Sequence, residues 1–136
     1  MTPARSTEDD LEDIIGIATV FNDKYGDMPL NPDKARTSLR HFIQEGVVFN
    51  TPLGAIVGII LEDPFRDVTT LLEIGWYAEA QGRSGLALLK AFIEEGRNQG
   101  VDSIVLSTLT QSDPRVNTLL ERMGFKETET AFTLTL

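Results

Sequence analysis

The chain has no cysteine and a single histidine, His41, among its 136 residues. Disulfides, thiolate metal sites and cysteine nucleophiles are therefore excluded. A multi-histidine metal site is excluded as well. Positive charge is scarce: 12 Lys and Arg stand against 21 Asp and Glu, a formal net charge of −9. An acidic surface repels phosphate backbones, so nucleic acid is not expected as a partner. Such a surface favours cationic small molecules or basic peptides, and it also keeps a protein soluble. No apolar run is long enough to span a bilayer, and "MTPARSTEDD" is polar, with no charged-then-apolar leader. The expected setting is cytoplasmic, with no membrane partner.

What is present suffices for one core. Hydrophobic residues make up 41% of the chain, and the length suits one domain over 1–136. Thr7 reads as a helix cap, with Asp10 as its capping-box partner. Leu11, Ile14, Ile15, Ala18 and Phe21 follow on one helical face. "DKYGDMPLNPD" breaks that helix. Asn31 and Pro32 then read as the cap and first residue of a second one. It turns Ala35, Leu39, Phe42 and Ile43 inward and stops at Gly46, while His41 falls among polar positions.

Past Gly46 the period changes. "VVFN", "TPLG" and "AIVGIILE" predict a hairpin, "DPFRD" a second turn, and "VTTLLEIGWY" a long strand over 68–77. A helix over about 84–99 follows, with Leu86, Leu89, Phe92 and Ile93 inward and Gly100 at its end. "SIVLST", 103–108, lacks polar alternation, which suits a strand buried on both faces. Asp113 and Pro114 open a last helix, with Val116, Leu119, Leu120 and Met123 inward and Gly124 as its stop. "ETAFTLTL" alternates, with Phe132, Leu134 and Leu136 on one side, and predicts a final strand at a sheet edge or in an interface. The fold class is a mixed α/β (α+β) domain: order ααβββαβαβ, a mixed sheet with helices on both faces.

Three places could carry chemistry. Glu73 is the one charge inside the strand 68–77, among Leu71, Leu72, Ile74 and Trp76. Two readings stand. Alternation puts Glu73, Gly75 and Tyr77 on one side, which a solvated strand face would explain. A general base with a pKa raised by apolar neighbours is the other reading. Gly75 marks a bulge or a close approach. "QGRSG" enters a helix, where free N–H groups can hold a pyrophosphate or the chain can simply turn a corner. "SDPRVNTLLERMGFKE" is a capped helix ending in glycine.

Taken in order, these stretches resemble the GNAT superfamily of acyl-CoA-dependent N-acetyltransferases over essentially the whole chain. "TPARSTEDDLEDIIGIA" is similar to the family's degraded first strand and first helix. "KYGDMPLNPDKARTSL" resembles the loop and second helix of short phage and prophage members. "LEIGWYAEAQGRSGLALLKAF" looks like the acetyl-CoA motif, and "LLERMGF" like the family's C-terminal "LYEKLGF"-type segment. The resemblance implies an acetyl-CoA-dependent transferase acting on a primary amine, of a small molecule or a protein, by direct attack. Glu73 would be the general base. Trp76, Tyr77 and Ala78 would pair with the pantetheine arm. Gln81, Gly82, Arg83, Ser84, Gly85, Leu86 and Ala87 would wrap the pyrophosphate, and Asp113 would line the far side of the cofactor. By the family's fold the acceptor would meet Tyr25, Asp27, Met28 and Phe65. No metal is needed.

The sequence also departs from the family. Ser84 stands where a glycine is expected, or Gln81 and Gly85 are one residue too far apart. The turn lacks the usual proline-containing segment. Leu120 replaces the tyrosine that often protonates the leaving thiolate, and Asp113 stands near an expected asparagine. A catalytically degenerate protein that binds acyl-CoA or a macromolecular partner is the alternative. The alternating tail makes a homodimer an expectation.

Overall fold

Glycine, proline and capping side chains divide the chain much as the sequence predicts. The computed structural model describes residues 2–26, 28–78, 83–109 and 113–136. Asp10 accepts a hydrogen bond from the Thr7 N–H at 2.8 Å and starts a 3-10 turn, Glu8–Asp10, that runs into helix α1, Leu11–Tyr25. Helix α2 is Pro32–Glu45, and the Asn31 side chain accepts from the Lys34 N–H at 3.1 Å. That bond satisfies one of the otherwise unpaired donors of the first turn. Asn31→Ala is expected to cost about 1 kcal/mol, read as a lowered midpoint in urea unfolding with an unchanged slope.

Strands β1 (Val47–Thr51), β2 (Gly54–Glu62), β3 (Thr69–Ala78) and β4 (Ser103–Val105) form one sheet in that order. The first two pairings are antiparallel and β3–β4 is parallel. Helix α3, Arg83–Asn98, makes the crossover between β3 and β4, and α4 is Pro114–Arg122. Gly100 and Gly124 end the two helices with φ of +73° and +99°, a region costly for any residue with a Cβ.

The sheet separates two cores. On one face Leu11, Ile14, Ile15 and Leu39 from α1 and α2 cover Val48, Ala55 and Val57. On the other, Leu88, Leu89, Phe92 and Leu120 cover Val47, Phe49, Ile56 and Leu71. Period-two alternation in β1 and β2 accounts for this division. Gly58 falls on the α3 side, where an added Cβ would land on the ring of Phe92.

The two sheet edges differ. At β1 the N-terminal segment forms an isolated antiparallel bridge, Arg5 with Phe49, and the Ser6 N–H donates to the Val48 carbonyl at 2.8 Å. This is the remnant of the expected first strand. At the other edge the strand expected over 103–108 is paired only over 103–105, and it is not buried on both faces. It lies at the edge, and its pairing stops at Leu72–Val105. The final strand expected over 129–136 does not form within this chain. Residues 126–136 are exposed and, among the described residues, pair with no strand. Alternation marks a segment able to form a strand, but only a neighbouring edge can satisfy its backbone.

Candidate functional site

The site is built on an irregularity in β3. Gly58 pairs with Glu73 but Val57 pairs with Gly75, so Ile74 is an extra residue on β3. A bulge of this kind bends the strand and shifts the phase of its side chains. Leu71 and Trp76, an odd number of residues apart, accordingly both pack in the α3-side core. Glu73, Gly75 and Tyr77 therefore do not form one continuous face, contrary to simple alternation. Tyr77 lies opposite Ala55, on the α1 side.

Immediately before this bulge, β3 and β4 part. Their ladder ends at Leu72–Val105, one residue before Glu73. Glu73 sits in the fork, 7% exposed, so it is not on a solvated face. Its Oε1 accepts from the Ser107 N–H at 3.1 Å across the gap. Burial pushes the Glu73 carboxyl above the ordinary glutamate range, and the Ser107 N–H only partly offsets that. The result is a carboxylate anchored at one oxygen and raised in basicity. Such a group is suited to taking a proton from an amine.

Beyond the fork, β3 continues through Ala78 with β2 on one side and, among the described residues, no strand on the other. A Cβ added at Gly75 would meet nothing within 4 Å, so the space over this residue is open. Tyr77 closes one end of it. The Phe21 ring packs 5.5 Å from Tyr77 edge-on and 5.2 Å from Tyr25, tying the end of α1 to β3. Beside Tyr77 a cleft of about 640 Å³ runs between α1 and the β1–β2 turn, with Asp10, Glu12 and Asp13 on its wall. The Glu12 carboxylate is held below its usual range by hydrogen bonding to the Arg36 guanidinium.

Helix α3 starts close to the end of β3. A Cβ at Gly85 would stand 3.2 Å from the Ala78 Cβ, so this glycine also serves close helix–strand packing. The Ser84 and Thr51 hydroxyls hydrogen-bond at 2.9 Å, fastening the α3 start to the β1–β2 turn. Arg83 opens the helix. The residues present thus fit the cofactor implied by the resemblance. An open strand edge at Gly75–Ala78 suits an amide-bearing arm, and it leads to a helix N-terminus suited to phosphates.

Of the residues singled out from sequence, the structure brings together Glu73, Trp76, Tyr77, Ala78, Arg83, Ser84, Gly85, Leu86 and Ala87 around this fork and helix start. Gln81, Gly82 and Asp27 lie outside the described residues. Tyr25 joins through Phe21. The exposed Met28 follows α1, its carbonyl accepting from Asn22 at 2.8 Å. Phe65 is not brought in: it is 93% exposed on the β2–β3 turn, at the far end of β3 from Ala78. Asp113 caps α4, accepting from the Arg115 N–H at 2.9 Å. Hydrogen bonds from Arg115 hold its carboxyl below the usual range. Leu120 is buried in the core.

Ser107 and Thr51 were not legible as site residues. Both act through contacts 33 or 34 residues distant, with no local motif to mark them. Thr108 likewise donates to Asn117 at 3.0 Å, linking the far side of the fork to α4. No group of His, Asp or Glu among the described residues could hold a metal ion, and no described helix is long and apolar enough to cross a membrane.

No protein-family model and no curated protein matches the sequence significantly. Solved structures do match the fold. A probable acetyltransferase superimposes with a TM-score of 0.80 at 17% identity, over 100% of this chain and 98% of that one. A candidate acetyltransferase from Arthrobacter sp. FB24 gives a TM-score of 0.80 at 22% identity, over 100% and 92% of the two chains. An acetyltransferase from Trypanosoma brucei gives 0.71 at 18% identity, over 98% and 97%. The chain has the fold of the GNAT acetyltransferases.

Proposed function

We propose that this chain, having that fold, is a GNAT-superfamily N-acetyltransferase that moves an acetyl group from acetyl-CoA to a primary amine. The observation that carries this reading is the buried, raised carboxylate of Glu73, held by the Ser107 N–H where β3 and β4 part. Acetyl-CoA, when bound, supplies the acetyl group as an activated thioester. The free edge of β3 from Trp76 to Ala78 holds the arm as an added strand would be held. The α3 start, Arg83 to Ala87, receives the phosphates together with Gln81 and Gly82, which precede it in sequence, and Asp113 at the start of α4 lines the far side of the cofactor.

The acceptor reaches the site as an ammonium, drawn by a chain of net charge −9 and by the cleft lined with Asp10 and Asp13. Its entry is on the α1 side, by Tyr77, Tyr25 and Met28, and its amine reaches Glu73 through the gap where β3 and β4 part, with Asp27 a further proposed contact. Glu73 takes one ammonium proton, directly or through a water, and frees the nitrogen lone pair for attack on the acyl carbon. No covalent enzyme intermediate is needed. Leu120 offers no proton to the leaving sulfur, so solvent supplies it.

Leu120 also favours a second reading, in which the chain binds acyl-CoA or a macromolecular partner without turnover. A titration of acetyl-CoA by calorimetry, followed by free-thiol release over a panel of small amines and lysine peptides, separates the two. Binding with amine-dependent release is the expected result. Binding with no release from any amine gives the second reading, and no binding removes both.

A further inference from the structure

The two ends of the sheet are finished differently, and the chain carries an unused strand. The β1 edge is closed by the Arg5–Phe49 bridge. Among the described residues nothing pairs with the outer edge of β4. Alongside that edge runs a groove of about 630 Å³ between α3 and the end of α4, floored by Ile93, Val101, Ile104, Met123 and Phe125. An open edge beside an apolar groove is a template for one more strand.

The tail has the matching pattern. Phe132, Leu134 and Leu136 alternate with Ala131, Thr133 and Thr135 and are exposed by 93%, 83% and 109%. From Thr130 onward the tail carries no charged side chain. A threonine-rich, alternating segment with one apolar face is suited to a sheet edge. The chain's own tail does not use its own groove. Phe125 is anchored on the groove wall, its N–H donating to the Leu120 carbonyl at 3.0 Å, and residues 126–136 then run exposed. "KETE", 126–129, contains no Gly, Pro, Asn or Asp to turn the chain back. The charge at the rim is balanced, Lys90 and Arg97 against Glu94 and Asp102. A second acidic chain can approach there with little of the repulsion that the net charge of −9 imposes elsewhere.

We infer that the tail of a second copy, residues 129–136, adds as a strand to the outer edge of β4. The exchange is reciprocal, so the two copies are related by a two-fold axis and both tails are buried. Each tail places Phe132 and Leu134 in the partner's groove, and its backbone completes the ladder that β4 leaves open. The inference stands independently of the acetyltransferase reading.

The absence of cysteine makes the test direct. Sedimentation of the full chain should show a dimer. The double substitution Phe132→Asp and Leu134→Asp should weaken dimerisation on the order of a hundredfold or more, with an unchanged far-ultraviolet spectrum. Ser103→Cys and Thr133→Cys, carried on separate chains, mixed and oxidised, should cross-link into a heterodimer. A monomeric native chain overturns the inference. So does a dimer that survives the double aspartate substitution, or a Ser103→Cys/Thr133→Cys chain that cross-links only within itself.

Discussion

Glu73→Gln is expected to lower kcat/KM for the proposed amine acetylation by about 10²- to 10⁴-fold, the usual contribution of a positioned general base, and to leave acetyl-CoA binding intact. Gln keeps an oxygen that can accept from the Ser107 N–H, so the fork keeps its anchor. What it loses is the ability to take the ammonium proton. The pH profile carries the same signature. As the proposed base, Glu73 would work only when ionised, so the rate should rise with pH through its raised pKa, and that limb should disappear in the variant. If free-thiol release shows Glu73→Gln turning over as fast as the native chain, Glu73 is not the base.

The same substitution acts on stability in the opposite direction. The carboxyl has a higher pKa folded than unfolded, because burial disfavours its charged form. Over the window between those two values the folded state binds more protons than the unfolded state. Stability therefore falls as pH rises through that window. Above that window the native chain bears the full penalty of a buried anion, which Gln does not. Thermal melts should show Glu73→Gln more stable than the native chain near neutrality, with the difference shrinking in acid. A variant that is less active and more stable is what a working site predicts.

The largest structural effect is expected where the sheet meets α3. Phe92→Ala removes a side chain with no exposed surface and should cost about 3–5 kcal/mol, a large share of a stability that is typically about 5–15 kcal/mol. Gly58→Ala should cost about 1–3 kcal/mol by overpacking, since its new methyl would meet the Phe92 ring. The two should not add. With the ring gone, the methyl at position 58 enters the space it leaves. The double variant should then lie within error of Phe92→Ala, or above it. Urea unfolding of all four chains closes the cycle, and strict additivity would show that the two groups do not touch.

Much of this was legible in the sequence because it was written locally. Asn31–Pro32, Gly46, Gly100 and Asp113–Pro114 mark helix ends by chemistry that acts within a turn, and the helices stop there. Glu73 was legible as the one charge in an apolar strand. What depended on distant partners was not. The bulge at Ile74 is a property of two strands, and alternation read along one of them put Glu73, Gly75 and Tyr77 on one face. "SIVLST" reads as a buried strand, yet only Ser103–Val105 is paired, because the fork takes the rest away from β3. "ETAFTLTL" has the pattern of a strand without an edge to join in its own chain. The anchors of the site, Ser107 on Glu73 and Thr51 on Ser84, are sequence-distant contacts between residues common on any surface.

The extra residue at position 74 works as a change of reading frame for the strand. Upstream of it odd-numbered side chains face α3, and downstream even-numbered ones do, which is why Trp76 enters one core while Tyr77 meets α1. Removing one residue there would restore a regular strand but invert everything after it, driving Tyr77 toward α3 and Trp76 toward α1. The segment from Glu73 to Tyr77 can therefore change its letters much more readily than its length.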